Sequence, residues 1–154
     1  MAEPYIAVIG PSADHTPEIL AAATEVGAGL AAAGAVVLSG GGGGVMEAAS
    51  RGARAQGGQC VGILPGVDRG EGNAHLTLGL ATGLGELRNA LLVRCSDVLI
   101  AVGGSWGTLS EVALAVRQDK PVVAMNTWLV GHEHPALHYA ETPREAVELA
   151  LSLA

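Results

Sequence analysis

Residues 38–50 read LSGGGGGVMEAAS, in which five consecutive glycines, Gly40 to Gly44, stand between an apolar β-type run and a helix-forming run. Each glycine gives up more backbone freedom on folding than any other residue, about 0.5–1 kcal/mol relative to alanine in a regular element. Five in a row therefore need a physical reason: a flexible linker, or a place where the backbone comes very close to something else. A five-residue gap between a strand and its own crossover helix is an ordinary connection, which argues against a linker. A tight turn with close helix–sheet packing and a surface shaped for a ligand both remain open.

Outward from the glycines, short β-type runs alternate with helical patterns. Continuous apolar runs occur at 5–10 (YIAVIG), 35–40 (AVVLSG), 60–64 (CVGIL), 98–104 (VLIAVGG) and 121–125 (PVVAM). Unbroken apolarity means burial on both faces, as in a parallel sheet covered by helices. A weaker strand is expected within 76–81 and a short edge strand near 137–140. Helices are expected at 17–33, 45–57, 86–96, 109–118 and 143–153. Thr16-Pro17 supplies an N-cap and a first helical position, and Thr142-Pro-Arg-Glu145 a capping box. The pattern predicts one domain over 1–154 with an α/β fold, a doubly wound parallel sheet in a Rossmann-like three-layer sandwich.

In open parallel sheets ligands bind beyond the carboxyl ends of the strands, where the strand order reverses. Gly40–Gly44 lie at such an end and open a helix whose free amides and positive dipole end favour an anion. A second stretch, VGGSWGTLSE (102–111), repeats the arrangement after another buried strand. Two glycine-rich strand-to-helix turns in one sheet make two anion-accepting edges facing one crevice.

Familiar uses of glycine loops are excluded by inspection. A Walker A loop needs Gly-Lys-Ser/Thr, but Val45 and Met46 follow Gly44. The single lysine, Lys120, precedes a strand, which counts against a pyridoxal-phosphate enzyme. G-x-G-x-x-G fails because Val45 stands where the third glycine would be, so NAD-linked chemistry is not expected and no cofactor is assigned.

The residues SGGGGGVMEAA, GGSWGTLSE and ELRNALLVRCSDVLIAVGG resemble the Lonely Guy (LOG) superfamily of nucleotide-binding proteins, often mislabelled lysine decarboxylases. In LOG enzymes the second loop reads P-G-G-x-G-T-x-x-E, and its glutamate, with an arginine on the preceding helix, serves hydrolysis of a nucleoside 5′-monophosphate to free base and ribose 5-phosphate. The resemblance places Glu111 and Arg88 in those positions and Gly104, Trp106, Gly107 and Thr108 on matching loop positions. Gly103 stands where those enzymes have proline, Ser105 replaces a glycine, and Asn89 follows the arginine in place of lysine. The chain is also shorter, and it resembles more the short-chain branch that includes molybdenum-cofactor carrier proteins. The resemblance thus implies a phosphoribohydrolase or, alternatively, a non-catalytic carrier of a phosphorylated pterin or similar nucleotide-like ligand. Phosphate or nucleotide contacts are expected at Gly41, Gly42, Gly43 and Gly44 and at Gly104, Ser105, Trp106, Gly107 and Thr108.

Each candidate has a structural alternative. Thr108-Leu-Ser-Glu111 is itself a capping box, so Glu111 either closes a helix end or faces a ligand. Arg88, in the first turn of its helix, opposes the dipole and is either a phosphate fork or an exposed surface arginine. Trp106 either stacks on a ring or plugs the space beneath the loop. His132, His134 and His138 lie close together, but without cysteine and with Pro135 interrupting they read as solvated loop residues, and no metal site is expected. Segment 65–75 reads as a mobile surface loop bordering the site.

The net charge of −7 over 154 residues gives no footprint for nucleic acid or an anionic membrane. No run has membrane-spanning length and the first residues lack a basic leader, so a cytoplasmic protein is expected. Cys60 and Cys95 read as reduced core thiols. Leu87, Leu91, Leu92, Leu109, Val112 and Val116 give helices 86–96 and 109–118 long apolar faces, which predict a homodimer or higher homo-oligomer; the LOG resemblance implies dimerisation through the same region.

Overall fold

The computed structural model describes residues 2–128 and 130–154. Seven strands, β1 (Tyr5–Ile9), β2 (Val36–Ser39), β3 (Cys60–Leu64), β4 (Leu78–Ala81), β5 (Val98–Val102), β6 (Val122–Met125) and β7 (Leu137–Tyr139), form one sheet. Their spatial order is β4-β3-β2-β1-β5-β6-β7, and every pairing is parallel. Five helices complete the fold: α1 (Pro17–Ala32), α2 (Val45–Ala55), α3 (Arg88–Cys95), α4 (Trp106–Arg117) and α5 (Pro143–Leu153).

Strand alternation divides the core into two. Ile6, Val8, Val98, Ile100 and Val102 face α1, α2 and α5. Ala7, Ile9, Leu99 and Ala101 face α3 and α4 on the other side. This is the doubly wound three-layer sandwich that the apolar runs predict, because only burial on both faces removes the cost of exposing such strands to water. On the first face α1 and α2 cross at backbone distance: a Cβ on Gly27 would run into the Ala49 carbonyl, and one on Gly52 into that of Thr24.

Both expected N-caps form, although Glu145 Oε2 accepts from the Glu141 amide at 3.0 Å rather than from that of Thr142, as a capping box would have it. Thr16 Oγ1 accepts from the Ile19 amide at 3.2 Å and Thr142 Oγ1 from the Glu145 amide at 3.1 Å. Two boundaries differ from expectation. α4 begins at Trp106, not 109, because the extended Ser105 is its N-cap and accepts from the Thr108 amide. Residues 85–87 form a 3-10 turn before α3.

Several side chains lie elsewhere than expected. Cys60 is buried, whereas Cys95, at the end of α3, is exposed and not a core thiol. Leu92 and Val112 are fully used by the chain's own core, which shortens the apolar face expected for self-association. Leu87 is 72% exposed and Leu91 37%. Among the described residues no helix is long and apolar enough to cross a membrane.

Candidate functional site

The strand order reverses between β1, which leads to β2, and its other neighbour β5. Beyond the carboxyl ends of this pair lies a cavity of about 120 Å³. β1 contributes Ile9 and the turn after it Gly10 and Ser12, while Gly40, at the start of the first glycine run, and Met46, in the first turn of α2, flank it. α3 contributes Arg88 and Asn89, and the second loop with α4 contributes Ser105, Gly107, Thr108 and Glu111. Five of the expected site residues therefore meet at the switch point.

Arg88 is the first residue of α3. Its Nη1 donates to the carbonyls of Gly40 (2.6 Å) and Ile63 (3.0 Å), so the guanidinium ties the ends of β2 and β3 together. A Cβ on Gly40 would occupy the place of Nη1; here the glycine is required by the arginine. Arg88 Nε is buried without a partner among the described residues. Burial lowers the Arg88 pKa from its ordinary value, and Glu111 opposes that shift.

Glu111 lies on the buried side of α4, with 7% of its surface exposed. Burial raises its carboxyl from the ordinary 4.5 to about 7, against the pull of Arg88. No hydrogen-bond donor among the described residues reaches it. Its capping alternative fails: Ser105 caps α4, bonding the Thr108 amide at 3.2 Å and the Thr108 hydroxyl at 2.9 Å, and Glu111 stands in mid-helix. Asn89 Nδ2 donates to Ser110 Oγ at 3.2 Å, joining α3 to α4 beside the cavity.

Gly41, Gly42, Gly43 and Gly44 are not on the cavity wall. Gly44 has φ +62° and packs on the turn after β1, where a Cβ would meet the Pro11 carbonyl and Ser12. Gly41 packs against Leu64. Gly43 and Gly107 differ: a Cβ there would meet nothing nearer than 3.9 Å and 3.8 Å respectively. Internal packing does not demand glycine at either place, although glycine within a helix, as at 107, costs about 1 kcal/mol.

Gly104 lies beneath the Trp128 indole. Trp106 is 78% exposed, so it is not a plug beneath the loop. It meets Trp128 edge-to-face, ring centroids 4.9 Å apart. Of the loop histidines, His134 Nε2 lies 3.7 Å from Asp119 and its Nδ1 accepts from the Ala136 amide. Among the described residues no group of three or more His, Cys, Asp or Glu side chains is placed to hold a metal ion.

Gly10, Ser12, Asn89 and Trp128 were not anticipated as neighbours of the site. The glycine that ends the first apolar run was a usable signal for Gly10, since β1 borders the switch point of a doubly wound sheet. Nothing in the sequence pattern points to Trp128.

The model of the SLOG cluster4 family matches residues 3–150. An uncharacterised protein of Archaeoglobus fulgidus is 39% identical over 108 residues, 70% of this chain and 69% of that protein. The molybdenum cofactor binding protein of Rippkaea orientalis superposes with a TM-score of 0.90 at 36% identity, covering 99% of this chain and 98% of its own. The molybdenum cofactor carrier protein of Chlamydomonas reinhardtii does so with a TM-score of 0.91 at 35% identity, with the same coverage. With a family match over almost its whole length and a switch-point cavity between two glycine loops, the chain belongs to the SLOG cluster4 family.

Proposed function

We propose that this protein binds, without cleaving, a phosphorylated pterin of the molybdenum-cofactor class, acting as a cytoplasmic carrier with the phosphate held between the two glycine loops. The observation that carries this function is the full-length likeness to the Rippkaea and Chlamydomonas proteins, in a chain whose own loops leave room at Gly43 and Gly107. The cavity fits one end of such a ligand. At about 120 Å³ it is smaller than the roughly 300–1,000 Å³ that encloses a drug-sized molecule, so the remainder extends over the exposed rim, where Trp106 offers a ring face.

A second function, hydrolysis of the N-glycosidic bond of a nucleoside 5′-monophosphate, is favoured by one observation: Arg88 and Glu111 line the same cavity, and a carboxyl near 7 suits general acid–base chemistry at neutral pH. Chromatography of the protein incubated with AMP and N6-substituted AMP separates the two. A carrier leaves these intact and binds a pterin monophosphate in calorimetry, whereas release of base and ribose 5-phosphate above background decides for the hydrolase. Gly43→Val and Gly107→Val are expected to fold and to lose most of the binding, because the space their side chains fill is the space the ligand needs. Unimpaired binding in both folded variants removes the loops from the site.

Self-association belongs to the same proposal. Leu87 and Leu91 present apolar surface on the α3 side whose burial against a second copy would be favourable. Light scattering at micromolar concentration should give at least a dimer, weakened by Leu87→Glu; a monomeric wild type would refute it.

A further inference from the structure

The segment between β3 and β4 is held to the first glycine run at two points. Leu76 fills a socket in which Cβ atoms on Gly62 and Gly72 would come within 2.6 Å and 2.7 Å of its Cδ1, with the Gly41 position at 3.4 Å. From this anchor Asn73 reaches two successive glycine carbonyls: its amide donates to Gly41 O at 2.9 Å and its Nδ2 to Gly42 O at 3.0 Å. The Asn73 side-chain oxygen accepts from the His75 amide at 3.0 Å, so both ends of the carboxamide are satisfied and its orientation is fixed.

In a trans peptide the C=O of one residue and the N–H of the next point in opposite directions, and the described chain has no cis bond. Holding Gly41 O turns the Gly42 N–H away from Asn73; holding Gly42 O does the same for the Gly43 N–H. Asn73 follows β3, which lies on the far side of β2 from β1 in the sheet, so both amides are turned off the β3 side of the run. The Gly41 N–H is already taken by Ser39 Oγ at 3.0 Å, while those of Gly42 and Gly43 donate to no acceptor among the described residues. Glu47 lies between this segment and the glycine run: its Oε1 is 4.0 Å from His75 Nε2, and its Oε2 is 3.9 Å from the position of a Cβ on Gly43.

We infer that Asn73 is a positioning residue, which aims the Gly42 and Gly43 amides at the phosphate of the ligand; this rests on the binding function proposed above. Segment 65–77 is then part of the recognition apparatus although it need not touch the ligand.

The test compares calorimetric affinities for a pterin monophosphate and for the same pterin without its phosphate, in wild type, Asn73→Ala and the similarly sized Asn73→Asp. Loss of one oriented hydrogen bond is expected to weaken binding of the phosphorylated compound roughly three- to tenfold, with the unphosphorylated compound unchanged. Asn73→Asp should lose at least as much, since it exchanges a donor for a negative charge. Titration of inorganic phosphate into ¹⁵N-labelled wild type should move the Gly42 and Gly43 amide resonances, and move them less in either variant. A wild type that prefers the phosphorylated pterin while both variants keep that preference overturns the role of Asn73 and leaves the binding function standing. A wild type indifferent to the phosphate overturns both.

Discussion

Glu111→Gln is expected to stabilise the protein at pH 8 and to leave its stability at pH 4.5 and below almost unchanged. Folding takes the Glu111 carboxyl from 4.5 to about 7, so between those values the native state retains a proton that the unfolded chain has already lost. Native stability therefore falls as the pH rises from about 4.5 through about 7 and is level above that. The full penalty corresponds to about 3 kcal/mol, and glutamine, which never ionises, avoids it. Chemical denaturation of both proteins across this range checks the sign: equal stability at pH 8, or a gain confined to acid, would falsify the burial cost assigned to Glu111.

Glu111 has no hydrogen-bond donor among the described residues and only the charge of Arg88 to offset its burial, so its cost is open to change by whatever enters the cavity. The ligand arm of the same experiment separates a binding role from a merely tolerated buried acid. A phosphate near Glu111 is repelled by the carboxylate but not by the neutral acid. Wild-type affinity for a pterin monophosphate should decline from pH 6 to pH 8 relative to Glu111→Gln. The ratio of the two proteins matters, since phosphate itself titrates near pH 6 and that contribution cancels.

The architecture was legible because buried parallel strands cannot be written any other way than as apolar runs bounded by turn residues. The weak strand expected within 76–81 appears as β4, at an edge of the sheet, where Leu78 and Leu80 remain half exposed; a strand covered on one side has less reason to be uniformly apolar. The α4 boundary was misread for a local reason. Thr108-Leu-Ser-Glu111 has the pattern of a capping box, but Ser105 caps the helix three residues earlier and Gly107 lies inside its first turn. That shift made Glu111 look like a capping carboxylate, when it is a buried mid-helix acid.

The site was half legible. The resemblance to the LOG motifs brings Arg88 and Glu111 to one site, and both line the cavity. The seating of Arg88 on the Gly40 carbonyl joins residues 48 apart in sequence and has no local signature. Nor could glycines required by internal packing be told from those with room: within one run of five, Gly40 yields to Arg88 and Gly44 to the turn after β1, while the Gly43 position meets only Glu47 Oε2, at 3.9 Å.

The distinction between strut and ligand fork gives Arg88→Ala the other large effect. Removing the guanidinium leaves the Gly40 and Ile63 carbonyls without their donor, at about 1–3 kcal/mol for each acceptor that water cannot reach. A loss of about 2–4 kcal/mol is expected, lowering Tm by roughly 5–15 °C for a chain of this size. Affinity for a pterin monophosphate should fall roughly 10- to 100-fold, both through the lost charge and through the released glycine run. Arg88→Lys divides these effects, since an ammonium keeps the charge beside Glu111 but lacks the rigid planar frame that sets Nη1 against both carbonyls and presents further donors. The lysine variant should retain the Glu111 carboxyl near its wild-type pKa, followed by ¹³C NMR, and still lose much of the thermal stability. In Arg88→Ala the same carboxyl should titrate higher than in wild type, because the one neighbour that lowers it is gone. An alanine variant that melts with wild type shows that the bonds to Gly40 and Ile63 hold nothing together, and a carboxyl that does not move shows that Arg88 and Glu111 do not act on each other across the cavity.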